Sequence, residues 1–226
     1  MIRAIKLKES GTPHRTELYE VAESRDITTE EKYEDGSLDQ VVLQYCIKEE
    51  EVGYYAQEYR PADVPKDGAK VIDITAVLLN HGEKYIRWHL YDMKRTLAGH
   101  DTVTKLYNQW NWGLRYLRKN ILFQMSEYSV IPNLGVITRS YDEERMKRLR
   151  DECRKNCNEI ENPSKPMTLP QRKKRTDIGK YRAGLRAAQA ILDKTFQAED
   201  AADTYEIQIR LLGQESNQVY QMRFPV

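Results

Sequence analysis

Two long segments of the chain repeat their apolar residues at spacings of three and four, which is the pattern of a helix with one buried face. The first covers residues 103–125, with Val103, Leu106, Trp110, Leu114, Leu117, Ile121 and Met125. The second covers residues 177–196, with Ile178, Tyr181, Leu185, Ala188, Leu192 and Phe196. Because each segment needs a partner for its apolar face, the sequence predicts a packed helical centre.

Three other central segments are also predicted to be helices, which makes about four to five in all. A short apolar run at residues 76–79 follows a candidate cap at Asp73. In residues 86–97, Ile86, Leu90, Met93 and Leu97 fall on one helical face. Residues 141–160 begin with acidic side chains and continue with basic ones, which suits the helix dipole. Residues 132–135 read as a break, and residues 136–138 as a short strand.

The two ends of the chain carry strand patterns. Residues 2–7 and 18–21 predict a hairpin, and residues 40–48 are predicted to face residues 52–59 across an acidic turn. Residues 205–212 and 218–224 predict a C-terminal hairpin. The order of strands, helices and strands predicts an α+β fold with an N-terminal antiparallel sheet, a central helical region and a C-terminal β-hairpin.

Charge is divided unevenly along the chain, although the net charge is only +1. Residues 1–63 hold 8 Lys or Arg against 15 Asp or Glu, whereas residues 84–119 hold 8 against 2 and residues 143–186 hold 14 against 7. Such asymmetry favours an anion-binding surface, unless acidic and basic segments neutralise each other within the fold.

These patterns predict three parts along the chain. Residues 1–62 form an acidic β-rich part, residues 63–200 a basic helical part, and residues 201–226 a hairpin that returns to the sheet. A single compact domain is an equally acceptable arrangement at this length.

The strongest candidate for binding is a basic cluster after a proline-rich segment. Residues 162–175 hold three prolines and are predicted to form an exposed loop, and basic residues continue into the following helix. The cluster consists of Arg172, Lys173, Lys174, Arg175, Lys180, Arg182 and Arg186. Lys and Arg neutralise nucleic-acid phosphates, so phosphates are the natural ligand of this cluster; the alternative is a solvated charge run that improves solubility.

A second candidate is the predicted helix 103–125, where aromatic and basic residues alternate. Trp112, Arg115, Arg118 and Lys119 combine a stacking surface with cations, as binding of unpaired bases requires. Trp110 falls on the apolar stripe instead and is predicted to lie in the core.

No catalytic or cofactor motif is recognisable, and no cofactor or metal is predicted. The three cysteines, Cys46, Cys153 and Cys157, and the four histidines lack metal-ligand spacing. Acid and base groups could still assemble from His89 or His100 with Asp92 or Asp101.

The sequence thus favours a non-catalytic nucleic-acid-binding protein, with DNA and RNA equally acceptable. The alternative is an adaptor or inhibitor that presents its acidic strands to a basic protein partner, and the third candidate is a metal-independent nuclease. No apolar run approaches the roughly 20 residues of a membrane-spanning helix, and no secretory signal is recognisable, so a cytoplasmic protein without membrane contact is expected.

Overall fold

The computed structural model describes residues 4–7, 16–21, 26–32, 38–44, 51–59, 72–116, 127–162, 177–198, 203–212 and 219–223. In the first five strands, at residues 72–75 and in the last strand it describes the backbone alone, apart from residues 40, 41 and 51.

Strands and helices account for most of these described residues. The strands are β1 (Ala4–Leu7), β2 (Thr16–Val21), β3 (Asp26–Lys32), β4 (Leu38–Gln44), β5 (Glu51–Tyr59), β6 (Ile72–Asn80), β7 (Tyr85–Thr96), β8 (Ser129–Ser140), β9 (Thr195–Gln197), β10 (Thr204–Leu211) and β11 (Val219–Arg223). The helices are α1 (His100–Tyr116), α2 (Glu143–Glu161) and α3 (Ile178–Asp193).

Eight strands form one mixed sheet in the order β1-β2-β5-β6-β7-β8-β10-β9. Neighbours from β1 to β7 are antiparallel, whereas β7, β8 and β10 are parallel. Parallel neighbours need long crossovers, and helices provide them here: α1 connects β7 to β8, and α2 and α3 lie between β8 and β10. A second sheet has β4 between β3 and β11.

The main core lies between one face of the larger sheet and the helices. Ile86, Trp88 and Leu90 alternate along β7 on this face and are fully buried. They cluster with apolar residues of α1 and α3, among them Trp110 and Ile191. The apolar stripe predicted for α1 therefore faces the core, whereas α3 buries a different face from the one predicted, formed by Gly184, Ala187, Ala188, Ala190 and Ile191.

The opposite face of β7 is buried as well, and it is more polar. Arg87 donates from Nε and Nη2 to the carboxylate of Glu51, and Tyr85 donates its hydroxyl to Glu51 at 2.7 Å. Further along, Tyr91 donates to Gln208 of β10 at 2.8 Å. Burial on both faces makes β7 the centre of the sheet.

Two predicted helices are strands. Residues 76–79 lie in β6 and residues 86–97 lie mainly in β7. A strand buried on both faces carries apolar residues at almost every position, so some of them match a helical spacing by chance. The described residues accordingly hold three helices and not four to five.

The predicted break at residues 132–135 is also wrong, because β8 runs through it. Gly135 pairs with Tyr91 across the parallel ladder, and a side chain at this glycine would overlap the Tyr91 ring. The glycine here permits close packing instead of a turn. Residues 136–138 form a strand as predicted.

The termini pair differently from the prediction. The hairpin of β1 and β2 is confirmed, but β4 and β5 belong to different sheets. The C-terminal runs are strands, yet they do not form a hairpin: β10 joins β8 and β9, and β11 joins β4 in parallel.

The helices predicted at residues 141–160 and 177–196 are confirmed as α2 and α3, and α1 confirms the described part of the helix predicted at 103–125. The division at residues 62 and 200 stays a prediction.

Candidate functional site

The predicted basic residues fall into two groups. Arg172, Lys173, Lys174 and Arg175, together with Arg118 and Lys119, lie outside the described residues. Lys180, Arg182 and Arg186 are on α3, and Trp112 and Arg115 are on α1.

Of these described residues, the structure brings Lys180, Trp112 and Arg115 together. Lys180 and Trp112 line one groove between α1 and α3, and the Arg115 guanidinium lies 5.3 Å from the centre of a Trp112 ring. Arg182 instead pairs with Glu161 of α2 at 2.6 Å. Arg186 is exposed and lines another cavity beside Arg154.

The α1–α3 groove has a volume of about 280 Å³. Most of its wall is one face of α1, because residues 101, 104, 105, 108 and 112 recur at helical spacings. It is lined by His100, Asp101, Thr104, Lys105, Asn108, Gln109, Trp112 and Lys180.

His100 joins the two helices at the end of this groove. Its Nε2 lies 3.1 Å from the Lys180 carbonyl oxygen, and its Nδ1 lies 3.3 Å from Asp101 Oδ1. Lys180 Nζ is 3.2 Å from the same Asp101 oxygen. These bonds, from His100 first and Lys180 next, lower the pKa of Asp101 below its ordinary value. The mouth of the groove is therefore held together by polar contacts.

The predicted combination of His89 with Asp92 does not form. The two residues have opposite side-chain parity on β7, so His89 lies on the polar face and Asp92 on the helix-facing side. Burial lowers the pKa of His89 to about 3, which keeps the ring neutral. A histidine in this state is a poor proton acceptor for catalysis at neutral pH.

Asp92 and Lys94 form a buried ion pair where β7 leaves the core. Asp92 is fully buried, the Lys94 side chain is 11% exposed, and the ammonium donates to the Asp92 carboxylate and to the Met93 carbonyl oxygen. Beyond this pair the strand becomes exposed at Arg95 and Thr96. Burying two charges is unfavourable unless they are well paired, so a pair in this position calls for a reason.

Two more acidic residues are aligned with Asp92 across the sheet. The register pairs Gln57 with Ile74 and Ile74 with Tyr91. If the same pairing continues by one residue, backbone position 58 of β5 lies opposite position 73 of β6, and position 73 lies opposite position 92 of β7. These positions hold Glu58, Asp73 and Asp92, which we call the carboxylate row.

The register thus places three acidic positions opposite one another in the backbone, and Asp92, the member whose side chain the structure describes, is paired with Lys94. Among the side chains described, no three His, Cys, Asp or Glu residues form a metal-binding group. Mg²⁺, however, usually takes only one or two protein carboxylates and completes its shell with water and substrate phosphates.

Sequence reasoning named Asp92 but missed its relation to Lys94 and Asp73. An Asp-x-Lys triplet is too short to be informative by itself, and Asp73 was interpreted as a helix cap. The available signal was the β-branched and aromatic content of residues 72–80 and 85–96, which favours strands over helices.

Two other predicted features have structural roles where they are described. Cys153 and Cys157 are buried, and desolvation raises the pKa of Cys153 to about 11, so its thiol is unreactive. Glu51, in the acidic segment proposed to meet a basic partner, is buried against Arg87.

In the part of the chain with described backbone, no helix is long and apolar enough to cross a membrane.

Comparison with known proteins found no matching family model, no matching curated protein and no matching solved structure. Function is therefore inferred from the chemistry of the two sites above.

Proposed function

We propose that the protein binds nucleic acid and hydrolyses its phosphodiester bonds at the carboxylate row with the help of a divalent cation. The observation that carries the proposal is the buried Asp92–Lys94 pair on β7, with backbone position 73, an aspartate in the sequence, opposite Asp92 on β6. The basic stretches 84–119 and 143–186 supply the attraction for a polyanion. This proposal replaces the non-catalytic role favoured by sequence alone.

The residues have separate roles in the reaction. Asp73 and Asp92 would hold Mg²⁺, which supplies a polarised phosphoryl oxygen and a bound water of lowered pKa. The Lys94 ammonium stabilises the negative charge that develops on the phosphoryl oxygens in the transition state.

The overall step consumes one water. The water oxygen bonds to phosphorus, the bond from phosphorus to one ester oxygen breaks, and the two water protons end on the leaving hydroxyl and on the new phosphate monoester or solvent. No oxidant or reductant is needed.

The test is an endonuclease assay on labelled single-stranded and duplex DNA and RNA. We expect wild-type protein to cleave at least one of these with Mg²⁺ or Mn²⁺ and none of them with EDTA. Asp73→Asn, Asp92→Asn and Lys94→Gln should each lower the rate about a hundredfold or more, since each removes a charge that acts on the transition state.

Asp151→Asn is the matched control, because Asp151 is an exposed carboxylate on α2 paired with basic neighbours. It should cleave like wild type. Circular dichroism of each variant identifies any that fails to fold, and the EDTA arm uses wild-type protein only. Cleavage that persists in EDTA or in Asp92→Asn would contradict the proposal, as would intact substrate in all four metal-containing reactions.

A further inference from the structure

The α1–α3 groove combines features that the carboxylate row does not use. Trp112 is half-buried on its wall, whereas Trp88 and Trp110 are fully buried. The Trp112 indole lines the groove and so forms part of the surface that a flat ligand would meet. Arg115 beside this ring adds a cation and holds the ring in position.

Cations stand on two sides of this aromatic wall. Lys105 is on α1 about two turns before Trp112, and the Lys180 side chain, 57% exposed, comes from α3. Asp101 is the acidic residue that lines the groove, and Lys180 already pairs with it. The groove thus offers positive charge beside an aromatic surface.

Polar atoms in the wall add hydrogen-bonding capacity. Among the described residues, the buried Thr104 Oγ1 has no hydrogen-bond partner. Asn108, two turns before Arg115, is exposed and lines the same groove. The exposed Asn108 amide can donate to and accept from the edge of a nucleobase, whereas the Thr104 hydroxyl oxygen is closed to solvent.

We infer that the α1–α3 groove binds one unpaired nucleobase of a single strand, which stacks on Trp112 while Lys105 and Lys180 contact the flanking phosphates. This inference rests on the proposed function, since it assumes a nucleic-acid substrate. A volume of about 280 Å³ accommodates a single base and no duplex. Stacking on an aromatic side chain also requires a base released from pairing.

The groove lies close in sequence to the carboxylate row. Only residues 97–99 separate the end of β7 from the start of α1, so the end of the strand that carries Lys94 leads directly into the groove. A base held on Trp112 would fix the position of the adjoining sugar-phosphate backbone of the nucleic acid on the enzyme.

The experiment is a tryptophan fluorescence titration in EDTA, which prevents cleavage. The ligands are oligothymidylate, oligouridylate and an abasic deoxyoligonucleotide of the same length. We expect both base-containing strands to quench the Trp112 emission and the abasic strand to quench little, because Trp88 and Trp110 are shielded in the core. Comparison of the first two ligands distinguishes DNA from RNA preference.

Variants separate stacking from charge. Trp112→Ala should weaken oligothymidylate binding about five- to a hundredfold, as measured by anisotropy, and leave binding of the abasic strand almost unchanged. Trp112→Phe, which keeps a ring, should recover part of this loss. Lys105→Gln and Lys180→Gln should weaken both ligands and reduce the salt slope by about 0.7 each.

Lys155→Gln is the matched control, since Lys155 is a 76% exposed lysine on α2 that does not line the groove. It should bind like wild type. Equal affinities for abasic and base-containing strands, unchanged by Trp112→Ala, would overturn the inference, and so would no binding of any strand. Neither result would decide whether the protein cleaves duplex substrates with a metal ion, because the endonuclease assay tests that separately.

Discussion

At the scale of single residues, buried charge is the most informative feature of this protein. Asp92 and Lys94 form a buried ion pair where β7 leaves the core, although the interior of such a strand is usually filled with apolar side chains. Buried ion pairs contribute little net stability, because desolvation offsets their attraction. A functional requirement explains the pair better than a structural one.

Removal of one member of this pair should destabilise the fold more than removal of both. Asp92→Leu or Lys94→Met alone leaves an uncompensated buried charge, for which we expect a loss of about 3–5 kcal/mol in the free energy of unfolding. The double variant should recover most of that loss, as measured by urea denaturation. Additive losses would contradict the buried-pair interpretation.

His89 should make stability depend on pH. Burial holds its pKa at about 3, whereas in the unfolded chain it is near 6.5. Above pH 6.5 both states are neutral and stability is complete. As the pH falls from 6.5 toward 3, the unfolded state binds a proton that the folded state does not, so stability decreases by about 1.4 kcal/mol per pH unit.

His89→Gln should remove this contribution, so its free energy of unfolding should fall less steeply than that of wild type between pH 6 and 4. His81→Gln, in an exposed turn, is the control and should behave like wild type. Parallel pH profiles for His89→Gln and wild type would disprove the burial argument.

At the scale of elements, the contact of α1 with α3 determines the shape of the groove. Gly184 of α3 lies against the His100 ring, and a side chain added there would overlap His100 Nε2 and approach Cys153 Sγ at 3.0 Å. His100 cannot move away without losing its bond to the Lys180 carbonyl oxygen. A small residue at position 184 is thus needed for the helices to meet.

Gly184→Ala should therefore lower the free energy of unfolding by about 1–3 kcal/mol, despite the better helix propensity of alanine. Gly179→Ala is the matched control on the same helix, because nothing lies within 4 Å of a side chain added there. It should be neutral or stabilising. Thermal unfolding of both variants measures the difference, and equal midpoints would contradict the packing argument.

At the scale of the whole molecule, the last strand of the chain shares a sheet with two strands from its first 50 residues. β11 pairs with β4 in parallel, from Val219 opposite Gln40 to Arg223 opposite Gln44. The N-terminal strands β3 and β4 thus depend on the C-terminus for a neighbour.

Removal of residues 219–226 should expose one edge of β4. We expect faster amide hydrogen exchange in residues 38–44 and unchanged exchange in residues 85–96, because β7 pairs within the other sheet. An exposed edge also promotes aggregation, which light scattering would detect. Unchanged protection of residues 38–44 would contradict this dependence.

The amphipathic helices were determined by the sequence itself. The apolar stripe of α1 and the acidic start of α2 are local patterns, because residues three and four apart share one face of a helix. The grouping of Trp112 and Arg115 was equally predictable, since both lie on one helix.

Only the tertiary structure decided the centre of the sheet and the carboxylate row. A strand buried on both faces has no alternating pattern, so β7 resembled a helix, and partner choice for β10 and β11 depends on pairing between distant segments. Asp73 and Asp92 are 19 positions apart in the chain, and nothing local relates them. Their alignment comes from hydrogen-bond register, which is fixed only when the whole sheet assembles.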